Sequence, residues 1–144
     1  VLLGVFKNHR DLAHNLIFEM PFRDYLTLST PEIKVLEGLD SLGCGFSGDY
    51  LTHIPTNLNM LKARHIEFIK IPASVLFEGA LRDDSFIKMS KQKSFIDSFG
   101  IQIIAERVED EQTLVNLFDF DIAYGQGFLF GRPDFKSVYS AAKV

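Results

Sequence analysis

Five polar residues stand at or near the ends of five short apolar runs: Glu19, Asp49, Lys70, Glu106 and Gln126. Three carboxylates and one ammonium leave a formal charge of −2. That balance suits a hard divalent cation such as Mg2+ or Mn2+ held by oxygen ligands. Lys70 is the most telling of the five. It lies between Ile69 and Ile71, so strand alternation puts it on the opposite face, with Phe68. A buried ammonium is costly unless paired, and Glu19, Asp49 and Glu106 are the available partners. The same residues would also serve as a structural ion-pair network inside a barrel, and their types alone leave both readings open.

Such a set needs a scaffold that brings strand ends together. The apolar runs cover residues 16–20, 45–49, 68–71, 101–106 and, more weakly, 120–126. Helix-like patterns lie between them. Residues 31–42 place Ile33, Leu36 and Leu39 at helical spacing behind a Ser29/Thr30 cap signal. Residues 55–63 follow Pro55 at a first-turn position, residues 86–99 carry Ile87, Met89 and Phe95 among lysines and serines, and residues 110–118 follow an acidic start. Strands alternating with helices predict an α/β fold with a parallel sheet or barrel, whose active site forms at the carboxyl ends of the strands. A closed barrel takes eight strands and about 250 residues. Five βα units are therefore expected to leave two raw edges, to be paired by further sequence or by a second copy.

Composition narrows the setting. The 144 residues, 47% of them hydrophobic, make room for one domain with a sizeable core. A net charge of −4 gives no reason to expect a nucleic-acid polymer as partner. The lone Cys44 excludes an internal disulfide framework and fits a reducing compartment. No apolar run approaches the roughly 18 residues of a membrane span, so no membrane contact is expected from this segment. The first fifteen residues have neither an initiator Met nor a signal-peptide layout, and they predict a helix entered partway through a longer chain.

Two segments carry a family resemblance. I-I-A-E-R-V-E-D-E-Q-T-L (103–114) resembles the A-E-G-V-E-T segment of EAL domains, the cyclic-di-GMP phosphodiesterase family. G-Q-G-F-L-F-G-R-P (125–133) resembles that family's closing Q-G-Y-x-F-G-x-P motif. L-I-F-E-M is similar to the E-x-T-E strand and E-F-I-K-I to the D-x-x-K-I-D strand. The resemblance implies a TIM-like (β/α) barrel, with residues 1–144 as about the last five βα units of a single EAL-like domain. The strands with the Glu-Ala-Leu and Asn motifs would then precede Val1.

The stretch D-S-L-G-C-G-F-S-G-D-Y (40–50) offers two registers onto the family's D-D-F-G-T-G-Y-S-S. The letters favour Asp40 as the ligand. In the family the first Asp precedes the Lys by about 21 residues and follows the first Glu by about 30, close to one βα repeat per interval. Asp49 stands 21 residues before Lys70 and 30 after Glu19, whereas Asp40 reverses both intervals. Asp40 also falls within the predicted helix that Gly43 would cap. Asp49 is therefore the expected ligand.

By resemblance, Glu19 and Asp49 are metal ligands and Lys70 contacts the attacking water or scissile phosphate. Glu106 orients or deprotonates the water, and Gln126 supports the ligand. The cofactor implied is Mg2+ or Mn2+, with Ca2+ able to substitute for binding. Two metals about 3.5–4 Å apart would activate water and stabilise the leaving oxygen. The departures weaken that chemistry. Tyr50 replaces the second Asp of the D-D pair, Phe22 the second Glu of E-x-T-E, Pro72 the Asp after K-I, and Arg107 the Gly of A-E-G-V-E. The loop L-T-H-I-P-T (51–56) has no glycine and carries a proline, so it takes a different backbone path from its family counterpart. Loss of one metal site and that loop predicts a rate lower by several orders of magnitude.

The resulting expectation is a degenerate EAL domain: a cyclic-di-GMP receptor or signalling module with little or no hydrolysis. Its N-L-I-F-E-M-P and A-E-R-V-E-D segments resemble the TipF-like flagellar-assembly branch. An active cyclic-di-GMP phosphodiesterase and a protein-interaction scaffold without nucleotide binding are the alternatives. Protein partners or a homodimer are expected, in the cytoplasm, either free or tethered to the inner membrane through upstream sequence. Other candidates have blander readings. His53 would be a surface-loop residue, and His9, His14 and His65 lack metal-ligand spacing. Cys44 would be a small core residue. Arg107 would contact a phosphate or pair with Glu109 or Asp110. The basic stretch at 88–93 would be solvated, and residues 74–84 would form a core-facing or partner-binding helix.

Overall fold

The computed structural model describes residues 2–77 and 83–132. Two short helices, α1 (Leu2–Asn8) and α2 (Arg10–Ala13), lead into strand β1 (Ile17–Pro21). There follow α3 (Phe22–Thr27), α4 (Thr30–Asp40), β2 (Gly45–Asp49), α5 (Leu58–Ala63) and β3 (Phe68–Pro72). The remainder is α6 (Ala73–Leu76), α7 (Asp83–Ser98), β4 (Gln102–Glu106), α8 (Glu111–Asp119), β5 (Tyr124–Gln126) and a 3-10 turn, Phe128–Phe130. The five strands form one sheet in chain order, and every pairing is parallel. This is the α/β architecture expected, an arc of a (β/α) barrel.

The helices cover one face of the arc. Phe46, Ile69, Ile71, Ile103 and Ala105 point to that face and are buried against the helix layer. Local chemistry sets the helix starts. The Ser29 backbone N–H and hydroxyl both donate to the Glu32 carboxylate, at 2.7 and 2.6 Å, ahead of α4. Asn57 and Asp110 each accept a backbone N–H of the first turn of α5 and α8. The helix ends share a turn. Gly43, His65 and Asp121 take positive φ (96°, 59° and 54°). Each donates its N–H three residues back, while the following residue donates five back. That is the Schellman pattern, which releases the chain into the next strand.

Some expected boundaries move. Residues 55–57 are not helical, because Asn57 rather than Pro55 starts α5. The weak fifth strand shrinks to Tyr124–Gln126, since Phe120 and Asp121 belong to the exit turn of α8. α3 was not legible in sequence. On α7 the inward residues are Met89 and Ile96, whereas Ile87 and Phe95 are more than half exposed. Of the candidate partner helix at 74–84, α6 is one turn and residues 78–82 lie outside the described residues.

Candidate functional site

The strand register gathers the polar residues. Partners across parallel strands share a face. Glu19 pairs with Ser47, and Gly48 with Ile69, so Asp49 stands beside Lys70. Lys70 pairs with Ile104, two residues before Glu106, and Glu106 pairs with Gln126. All five predicted residues therefore lie on the sheet face that the helices do not cover, towards the carboxyl ends of their strands. Asp40 lies at the opposite ends of the strands. It closes α4, and its Oδ2 lies 3.0 Å from His65 Nδ1, so Asp40 stands apart from the other polar residues.

Lys70 sits at the centre of the cluster. Its Nζ donates to Glu19 Oε2 at 2.8 Å and lies 3.8 Å from Glu106 Oε1. Burial works against its charge, but the Glu19 hydrogen bond and the charges of Glu19, Asp49 and Glu106 outweigh it and raise the pKa above the ordinary lysine value. For Glu106, burial and then repulsion from Asp49 push the carboxyl upward, against the pull of Lys70. Asp49 is buried, and its Oδ1 accepts the Tyr50 N–H at 2.6 Å. Gln126 is exposed on β5, and its carbonyl accepts the Val108 N–H at 3.0 Å.

Glu19 and Asp49 each keep one carboxylate oxygen free of these hydrogen bonds, which suits a single hard cation completed by other oxygens. Among the described residues, no group of three or more His, Cys, Asp or Glu side chains is arranged to hold a metal ion. The Tyr50 side chain is 75% exposed and supplies no carboxylate beside Asp49.

Backbone strain marks the same end of the sheet. Tyr50 and Arg107 both have φ of 57°, and each directly follows a site acid. A left-handed conformation costs an ordinary residue about 1–2 kcal/mol, and such outliers concentrate at functional sites. Arg107, Glu106, Glu109, Gln126, Gly127 and Phe128 line a recess of about 140 Å3. His53 is exposed and 3.2 Å from Thr52 Oγ1, and Cys44 is buried and free, as expected of each.

Three contributors were not singled out from sequence. Tyr25 on α3 is fully buried, and its hydroxyl donates to the Ser47 carbonyl at 3.2 Å, tying α3 to β2 beside Asp49. The Ser47 hydroxyl is buried without a hydrogen-bond partner on the same face as Glu19 and Asp49. Phe22 packs over Gly48, so an apolar contact stands where the resemblance implies a carboxylate. Alternation could have placed Ser47 with Asp49. Nothing in the local sequence marks Tyr25.

Comparison with known proteins bears on the family and the fold. The family model described as "EAL domain" matches residues 2–133. A cyclic di-GMP phosphodiesterase, PdeA of Borreliella burgdorferi, is 31% identical over 101 residues, covering 70% of this chain and 15% of that protein. The EAL enzyme Bd1971, in a form with cAMP and cyclic-di-GMP bound, superposes with a TM-score of 0.71 at 26% identity, over 91% of this chain and 35% of the other. The phosphodiesterase PaMucR, in complex with c-di-GMP, gives 0.70 at 26% identity, over 88% of this chain and 51% of the other. The chain thus spans a minor part of the curated relative and about a third to a half of these solved structures.

Proposed function

Because the chain belongs to the EAL domain family, we propose that it binds cyclic-di-GMP as a receptor or signalling module with little or no hydrolysis. The observation that carries this reading is the position of Lys70. Its ammonium lies 2.8 Å from Glu19 and 3.8 Å from Glu106, where it can meet a phosphate. The carboxylate that would build a second metal site is replaced by the exposed Tyr50. A single Mg2+, Mn2+ or Ca2+ would be held by Glu19 and Asp49, and when bound it would neutralise phosphate charge. Lys70 positions Glu19 and offers a fixed positive charge. Gln126 supports the ligand from the neighbouring strand, and Glu106 accepts a proton or orients water.

The kinship with a curated phosphodiesterase favours a second reading: slow hydrolysis with Glu106 as base and one metal. Calorimetry of the intact protein with cyclic-di-GMP in Mg2+ or Ca2+, beside a chromatographic assay for the linear dinucleotide in Mn2+, separates the two. Saturable heat with a flat time course supports the receptor. Turnover abolished by Glu106→Gln supports the enzyme instead. No heat at high micromolar ligand rejects both and leaves a protein-interaction scaffold.

A further inference from the structure

We propose that Arg107 is a second fixed cation of this site, beside Lys70: its guanidinium grips a phosphate of the bound cyclic dinucleotide, so that binding does not require a metal ion. The inference rests on the dinucleotide reading above and adds how the phosphate is held.

Four observations converge on Arg107. It follows Glu106 directly at the end of β4, where burial and the neighbouring acids raise the Glu106 pKa and the Arg107 charge opposes that rise only as the smallest contribution. It lines the recess of about 140 Å3 with Glu106, Glu109, Gln126, Gly127 and Phe128, a space on the scale of a phosphate group rather than a whole dinucleotide, in which, among the described residues, Arg107 is the one cation facing two carboxylates. Its backbone is held at φ 57°, a conformation glycine adopts without strain and arginine does not. Finally, among the described residues the Arg107 side chain makes no ion pair and no hydrogen bond. Pairing with Glu109 or Asp110 is not made. Asp110 instead accepts from the Thr113 N–H at 2.7 Å and the Thr113 hydroxyl at 3.0 Å as the cap of α8.

Electrostatics gives this charge a purpose. Glu19, Asp49 and Glu106 against Lys70 leave the cluster at −2, which repels a phosphodiester; a metal ion or a second fixed cation must offset it. A guanidinium does so with a planar fork that matches two phosphate oxygens. Phe128, 56% exposed in the same recess, carries the Arg132 guanidinium over its ring, 5.0 Å from the centroid.

The test is calorimetry of the intact protein with cyclic-di-GMP, in EDTA and in Mg2+. The wild type is expected to bind in EDTA within about threefold of its affinity in Mg2+. Arg107→Gly, which relieves the backbone strain and so keeps the fold, is expected to lose tenfold or more in EDTA. Arg107→Lys should recover part of that loss, and Lys91→Ala on the exposed side of α7 should change nothing. Equal binding by wild type and Arg107→Gly in EDTA, or a wild type that binds only with metal, overturns this inference and leaves the receptor reading standing. No binding by the wild type under either condition overturns both.

Discussion

Tyr25 shows how one side chain can hold a site it does not enter. Its phenol is fully buried and donates to the Ser47 carbonyl two residues before Asp49. Burial, with a smaller contribution from the Glu19 charge, pushes its pKa to about 12 from 10.0. The unfolded phenol ionises near 10 and the folded one resists, so the folded state binds more protons between those values. Stability is then lost progressively above pH 10, until the folded phenol ionises near 12. The loss should total about 2–3 kcal/mol at most. Tyr25→Phe is expected to flatten this alkaline limb while costing about 1 kcal/mol at neutral pH for the lost hydrogen bond. Urea titrations at pH values between 8 and 11 check it. An unchanged alkaline slope in Tyr25→Phe would assign the limb to another group.

At the scale of elements, the join between β4 and β5 depends on one close approach. Val108, just past β4, donates its N–H to the Gln126 carbonyl at 3.0 Å and accepts the Leu129 N–H at 3.1 Å. Gly127 lies against the Val108 backbone, and a Cβ there would collide with its nitrogen, carbon and oxygen. Backbone cannot yield as a flexible side chain does, so this glycine is required by space. Gly127→Ala is expected to destabilise the domain by about 2–3 kcal/mol. It should also displace Gln126 and Phe128, which border the recess. Denaturant midpoints measure the first effect, and loss of dinucleotide binding the second. A midpoint within 0.5 kcal/mol of wild type would show that the two segments separate at little cost. The G-Q-G motif gave the identity of this glycine from sequence; the reason for it, contact with a residue 19 positions earlier, did not appear there.

The whole sheet presents two open sides. β1 exposes Ile17 at 54%, and β5 exposes Tyr124 at 45% beside Phe128 and Phe130, each more than half exposed. Among the described residues no pairing joins β5 to β1. Unpaired strand edges flanked by apolar side chains template association. A polypeptide of these 144 residues is therefore expected to sediment as dimers or larger species at micromolar concentration. Ile17→Lys, on the exposed β1 edge, should shift it towards monomer. A concentration-independent monomer for the parent chain would refute the edge argument.

Much of the arrangement was legible along the chain. The intervals of the resembled family favoured Asp49 over Asp40, and the strand register puts Asp49 on the face it shares with Glu19 and Lys70. Alternation put Lys70 on the face away from Ile69 and Ile71, because a strand reverses its side chains at every residue. What only the tertiary structure decided was contact between distant segments. Lys70 came to rest on Glu19, 51 residues away, rather than on Asp49; Tyr25 reached Ser47, and Gly127 met Val108. Local pattern encodes which face a residue takes. Which partner it meets there depends on register across strands and on helix placement, and those are fixed by the packing of the whole sheet.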